Sequence, residues 1–300
     1  MIEPLAPQAM YPAGVTGVST RILTLSTGVR VRVAESGSPD GTPVVLLHGW
    51  AATIYTFRDA LERLPTHGFR VIAPDLRGFG LSDKPITPDA YSLEAYLGDL
   101  AALLDALELD RVALGGQSMG GGVSLHYALR NPERVSHLVL INPTGLAPVG
   151  FVSGMRLVPQ QFVSALGPVL APRFLVRIIV KWIAYGDPSL VTERTIDEYW
   201  APTQQPGFVR AGRAALSEFS WEAVPEDVLR SMTVPAVVIL GLQDRLIRDA
   251  ASPARIIPGG EVHTLRGGHC VHEEHPAEVY SLIAEFLRRA SADGAAPPGP

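Results

Sequence analysis

The sequence predicts an α/β protein built on a mainly parallel sheet. Three observations carry this: almost purely apolar runs at 44–47, 112–114, 138–141 and 236–240, helix-spaced segments at 92–107, 119–130 and 277–289, and the alternation of the two kinds. Strands buried on both faces read as uninterrupted Val/Ile/Leu runs, and strands alternating with helices wind into a parallel sheet with helices on both faces. With 300 residues, 47% hydrophobic and 18% charged, the chain has ample apolar surface for a large core.

In chain order, residues 21–26 and 29–35 alternate with period two and meet at Thr27-Gly28, a hairpin signal, so the sheet is expected to start antiparallel. The remaining strands are expected at 43–48, 69–75, 111–118, 135–142, 234–241 and 261–265, which makes eight. The distance from 142 to 234 is too long for one crossover helix. Segment 144–221, rich in Phe, Leu, Val, Gly and Pro with helical stretches at 173–185 and 210–219, is therefore expected to be an inserted helical cap. The core domain would comprise 1–143 and 222–290, and 291–300 a short disordered tail.

A net charge of −5 and the lack of any Lys/Arg run disfavour nucleic acid as a partner. Arginine supplies nearly all the positive charge, Lys84 and Lys181 being the only lysines. Cys270 is the single cysteine, so no intrachain disulfide can form, which fits a reducing compartment. Residues 1–17 lack the basic start and apolar run of a signal peptide, and the most apolar stretch, 162–185, is interrupted by Arg173, Arg177, Lys181, Pro168 and Pro172. A cytoplasmic protein without a membrane span is expected; the oligomeric state stays open.

The chemistry concentrates where predicted strands end, the place where open α/β sheets bind ligands. Gly116-Gln117-Ser118-Met119-Gly120 lies directly between a predicted strand and a predicted helix. Such a cramped turn needs small neighbours and lifts the serine hydroxyl above the strand, over the helix N-terminus. A serine hydroxyl needs a base, and His269, in Gly267-Gly268-His269 after the last predicted strand, is the best placed of eight histidines. Asp244, in the loop after strand 234–241, is the candidate to hold the imidazole. The backbone N–H groups of Met119 and Trp50 are the expected oxyanion donors. His48, beside Gly49, reads as a buttress of its turn.

The cluster His269, His272 and His275 with Glu273 and Glu274 raises the question of a metal. Three-residue spacing swings the third histidine away from the first, and Pro276 breaks the segment. No metal centre and no organic cofactor are expected.

At these residues the chain resembles the α/β-hydrolase superfamily, from the first hairpin to the last helix. The order Ser118, Asp244, His269 is the order that superfamily uses. The stretches Leu46-Leu47-His48-Gly49-Trp50 and Asp75-Leu76-Arg77-Gly78-Phe79-Gly80-Leu81-Ser82-Asp83-Lys84-Pro85, and His269 followed by Glu274 and Pro276, agree with it. The loop 75–85 is similar to that of epoxide hydrolases, haloalkane dehalogenases, haloperoxidase-type esterases and carbon–carbon bond hydrolases. The first two use an aspartate where this chain has Ser118. The last typically carry asparagine before the serine and tryptophan after the histidine, where this chain has Gln117 and Cys270.

The leading expectation is thus a carboxylic-ester hydrolase for a hydrophobic acyl or aryl substrate, with Trp50, Phe151, Phe162 and Trp182 lining the site and Phe174, Tyr185 and Trp200 as further candidates. One alternative is a carbon–carbon bond hydrolase of a ring-cleavage-type diketone, with Arg156, Arg173 or Arg177 available for a carboxylate. The other is a ligand sensor on the same fold with vestigial turnover.

Overall fold

A computed structural model describes residues 3–149 and 172–293. Among them, eight strands form one sheet: β1 (Val18–Thr24), β2 (Arg30–Ser36), β3 (Thr42–Leu47), β4 (Phe69–Pro74), β5 (Val112–Gln117), β6 (Val135–Ile141), β7 (Ala236–Gly241) and β8 (Glu261–Leu265). Their order is β1-β2-β4-β3-β5-β6-β7-β8. The first two pairings are antiparallel and the remaining five parallel.

The helices are α1 (Arg58–Arg63), α2 (Leu93–Ala106), α3 (Met119–Arg130), α4 (Arg173–Ile179), α5 (Glu193–Trp200), α6 (Phe208–Glu218), α7 (Glu226–Arg230), α8 (Ala251–Ala254), α9 (Val271–Glu274) and α10 (Pro276–Asp293). A π turn, Val180–Ala184, continues α4. Successive residues of the central strands go to opposite sides of the sheet. Val45, Leu47, Leu114, Leu138, Leu140 and Val238 pack with α2, α3 and α6. Val44, Leu46, Ala113, Val139, Ile141, Val237 and Ile239 pack with α1 and α10. Strands sandwiched in this way need apolar residues at every position, hence the uninterrupted runs.

β1 begins three residues before the sequence pattern places it. It is one of the two edge strands and most of its residues are exposed, so no buried face imposes an apolar period there. Helix α10 runs through Asp293, beyond the start of the expected tail at 291. The expected disorder of 294–300, like the parts of the expected cap at 150–171, lies outside the described residues.

Between β6 and β7, α4, the π turn and α5 enclose a small core of Val176, Val180, Tyr185, Val191, Ile196 and Trp200, to which Cys270 also belongs. The N-terminal stretch packs on the same region. Tyr11 N donates to Glu198 at 2.8 Å and Arg194 donates to Ala9 O at 2.9 Å.

Candidate active site

The parallel register aligns the C-terminal ends of the central strands. Leu47 pairs with Gly116, Gln117 with Ile141, Ile141 with Ile239, and Gly241 with Leu265. The residues that follow these positions are therefore gathered at one edge of the sheet.

Ser118 follows β5 directly and precedes α3, with φ 54° and ψ −120°. An L-residue adopts this region at a cost of order 1–3 kcal/mol, so the surroundings must impose it. Ser118 N donates to Ile141 O at 3.1 Å, and its carbonyl accepts from Gly122 N and Thr144 N, both at 3.0 Å. Gly120 permits the turn to close, because a Cβ there would lie 2.0 Å from Leu47 O. A Cβ on Gly49 would sit 3.0 Å from the Ser118 Cβ, so the 48–50 turn passes beside the serine. Met119 is buried as the first residue of α3, where backbone N–H groups lack helical acceptors.

His269 is buried, and its Nδ1 lies 2.7 Å from Asp244 Oδ2. Asp244 Oδ1 accepts from Leu246 N at 2.7 Å and Ile247 N at 3.0 Å, which leaves Oδ2 for the imidazole. Arg245, the other neighbour available to this aspartate, instead donates to Trp182 O. With Nδ1–H directed at a carboxylate, Nε2 is the ring nitrogen that can take a proton.

The histidine loop is fixed by side chains that sequence reasoning did not assign. Gln117 Nε2 donates to His269 O at 3.1 Å, and Asn142 Nδ2 donates to Gly268 O and His269 O, both at 3.0 Å. Asn142 also accepts Gly241 N at 2.9 Å, joining the ends of β6 and β7. Glu274 accepts Gly268 N at 2.6 Å through one oxygen and Gly186 N and Asp187 N at 2.9 Å through the other. Amide residues at strand ends were the available signal, but their partners lie 99 to 152 positions away.

The histidines of the cluster diverge. His272 is fully buried, with Nε2 2.9 Å from Thr56 Oγ1. Thr56 gives its own proton to Glu273 at 2.8 Å, so it accepts from His272 and the imidazole is the neutral Nε2–H form. Burial, reinforced by the Arg58 cation, pushes the His272 pKa down to about 4. Glu273 accepts from Arg58 at 2.5 Å, Tyr185 at 2.8 Å and Tyr199 at 2.5 Å. Burial alone would raise its pKa; Arg58 and these hydrogen bonds hold it below the usual value. Among the described residues no group of three or more His, Cys, Asp or Glu is arranged to hold a metal ion.

His48 is fully buried, with Nδ1 2.7 Å from Gly49 O and Nε2 accepting Leu76 N at 2.9 Å. Desolvation lowers its pKa, and both contacts suit a neutral ring. It ties the 48–50 turn to the 75–85 loop.

The aromatic residues expected to line the site separate. Trp50 is half-buried and its indole donates to Gly212 O of α6 at 2.9 Å. Trp182, expected as a wall residue, is 57% exposed, on the outer side of the π turn, and Phe174 is 65% exposed. Tyr185 and Trp200 belong to the small core instead, because each packs against α4 and α5. Phe151, Phe162 and Arg156 lie outside the described residues. Arg173 pairs with Asp197 at 2.6 Å and Glu193 at 2.8 Å, and Arg177 with Glu193 at 2.6 Å. Both arginines are thus engaged with carboxylates of α5.

The sequence pattern described as alpha/beta hydrolase fold matches residues 42–276. The chain belongs to the α/β-hydrolase fold family. Among its relatives, the 2-hydroxy-6-oxo-2,4-heptadienoate hydrolase of Pseudomonas putida is 31% identical, the alignment covering 91% of this chain and 98% of that one. The haloalkane dehalogenase of Psychrobacter cryohalolentis is 30% identical over 86% of this chain and 88% of its own. A meta-cleavage product hydrolase from Pseudomonas fluorescens, of known structure, superposes with a TM-score of 0.76 at 24% identity, covering 90% of this chain and 98% of that one. No described helix is long and apolar enough to cross a membrane.

Proposed function

We propose that this protein is a serine hydrolase that cleaves a carboxylic ester of a hydrophobic acyl or aryl substrate through an acyl-enzyme. The observation that carries the reading is a serine held in a strained elbow at the strand edge that also holds a histidine–aspartate pair. His269 Nε2 takes the proton of Ser118 as Oγ bonds to the carbonyl carbon. Asp244 stabilises the imidazolium, and the N–H groups of Trp50 and Met119 hold the oxyanion. Collapse breaks the carbon–oxygen bond as His269 returns the proton to the leaving alcohol, and water then repeats the sequence on the acyl-enzyme. Helices α4 to α6 serve as a cap over this edge, with Trp50 as apolar lining.

The nucleophile argues against transfer of a dehalogenase or epoxide-hydrolase reaction from the relatives. Serine attack on an alkyl carbon would leave an ether, which the same machinery cannot hydrolyse. Carbon–carbon hydrolysis is the second reading, favoured by the Pseudomonas putida relative. It uses the same triad but releases a carbon leaving group that His269 must protonate.

Hydrolysis of p-nitrophenyl esters of increasing acyl length by the wild type and Ser118→Ala tests the proposal. Turnover that falls about 10⁶-fold in the variant is expected. Turnover of a dienoic diketone with little ester turnover would support the second reading, and ester turnover that survives in Ser118→Ala would sink both.

A further inference from the structure

Helix α4 and its π turn present an apolar stripe to the outside. Phe174 is 65% exposed, Leu175 37%, Ile178 45%, Ile179 44% and Trp182 57%. At about 100° per residue these five fall within an arc of about 140°. The opposite side, Val176 and Val180, is buried in the small core with Tyr185, Ile196 and Trp200. Leu190, 44% exposed, lies on the next turn, Pro188–Leu190, which packs against the π turn. Among the described residues, packing therefore accounts for one side of this helix and leaves the other exposed.

Charge identifies what fits the stripe. Arg177 and Lys181, one of only two lysines in the chain, run along its edge, and Arg245 meets the backbone at Trp182. Arg173 lies at the start of the helix. Against these four cations stand Glu193 and Asp197, which pair with Arg173 and Arg177, and the exposed Asp187 at the start of the Pro188–Leu190 turn, so the excess is a single positive charge and Lys181 lies outside those ion pairs. The border of the stripe is thus weakly basic in a chain of net charge −5. A two-fold pairing of this face with a second copy would bring the same cations toward one another.

We propose that this stripe is a peripheral docking surface for an anionic lipid membrane. Phe174, Ile178 and Trp182 enter the acyl boundary, while Lys181 extends to the phosphate groups. Aromatic side chains and long cations divide in this way between the acyl boundary and the headgroups. The helix lies in the surface plane and does not span. Its C-terminal end leads into Ala184, whose carbonyl accepts Cys270 N at 3.0 Å beside His269. Docking thus brings the candidate active site to the lipid, where esters of hydrophobic acids partition.

The test is flotation of the full chain with vesicles of phosphatidylcholine alone and with 30% phosphatidylglycerol, together with tryptophan emission. Trp200 and Trp221 are buried and Trp50 is half-buried, so Trp182 should dominate any environmental shift. Binding to the anionic vesicles with a blue shift is expected. The exposed double substitution Phe174→Ser with Ile178→Ser should weaken binding by roughly tenfold or more at unchanged Tm, and Lys181→Glu should weaken it selectively for anionic vesicles. Failure of the wild type to bind, or equal binding by the double variant, would overturn the proposal. So would a concentration-dependent dimer that the double variant abolishes, without vesicle binding, since a second copy would then be the occupant. No outcome depends on turnover, so failure here leaves the serine-hydrolase reading untouched.

Discussion

Two aspartates with buried side chains at strand ends are bonded in nearly the same way and differ in one partner. Asp75, after β4, accepts Ile54 N and Leu81 N at 2.9 Å each and Arg32 Nε at 2.7 Å. Asp244, after β7, accepts Leu246 N at 2.7 Å, Ile247 N at 3.0 Å and pairs with His269 Nδ1 at 2.7 Å. Each carboxylate is thus oriented by two backbone N–H groups and one side chain. The guanidinium beside Asp75 is permanently charged, so that pair is a fixed anchor for the 75–85 loop. The imidazole beside Asp244 can gain and lose a proton, so that pair can follow a reaction. A similar carboxylate cradle therefore serves structure in one place and, under the proposed function, chemistry in the other.

Asparagine at each position separates the roles. Asp244→Asn keeps the shape but favours the wrong imidazole tautomer, and kcat should fall roughly 10⁴-fold with little change in Tm. Asp75→Asn leaves the Arg32 cation buried without its counter-charge, and should cost about 3–5 kcal/mol of stability in a denaturant titration. Remaining folded Asp75→Asn protein should turn over near the wild-type rate. Equal kinetic losses in the two variants, measured per folded molecule, would erase the distinction.

A smaller effect sharpens the comparison by pH. His272 is held neutral by burial, with its pKa lowered from 6.5 to about 4. Between those values the unfolded chain binds a proton that the folded one does not, so stability must fall as pH drops from 6.5 toward 4. A displacement of this size corresponds to about 3 kcal/mol. His272→Gln should flatten this part of the stability–pH curve, whereas Asp75, whose pKa Arg32 holds low against its burial, should act only at more acid pH. An identical acid limb in His272→Gln and wild type would contradict the assignment.

The parts legible in the sequence were those fixed locally. Uninterrupted apolar runs located the sandwiched strands, and the strand–Gly-Gln-Ser-Met-Gly–helix pattern placed Ser118. Strand-end positions also brought Asp244 and His269 forward, since both follow buried strands. Edge strand β1 was less legible, because exposure leaves its spacing unconstrained. Long-range partners were not legible at all. Nothing near Gln117 or Asn142 indicates that they hold the His269 carbonyl, and nothing near Asp75 indicates Arg32. The aromatic residues misled in part because hydrophobicity alone does not state a side. Tyr185 turns into a core, while Trp182 turns outward.

The central claim, that Ser118 forms a covalent acyl intermediate, is tested most directly by mass spectrometry of the protein quenched during turnover of a p-nitrophenyl ester. The account predicts one acyl group per chain, mapped to the peptide containing Ser118 and absent from Ser118→Ala. Sustained ester turnover with no acylated Ser118, or with the acyl group on another residue, would contradict it.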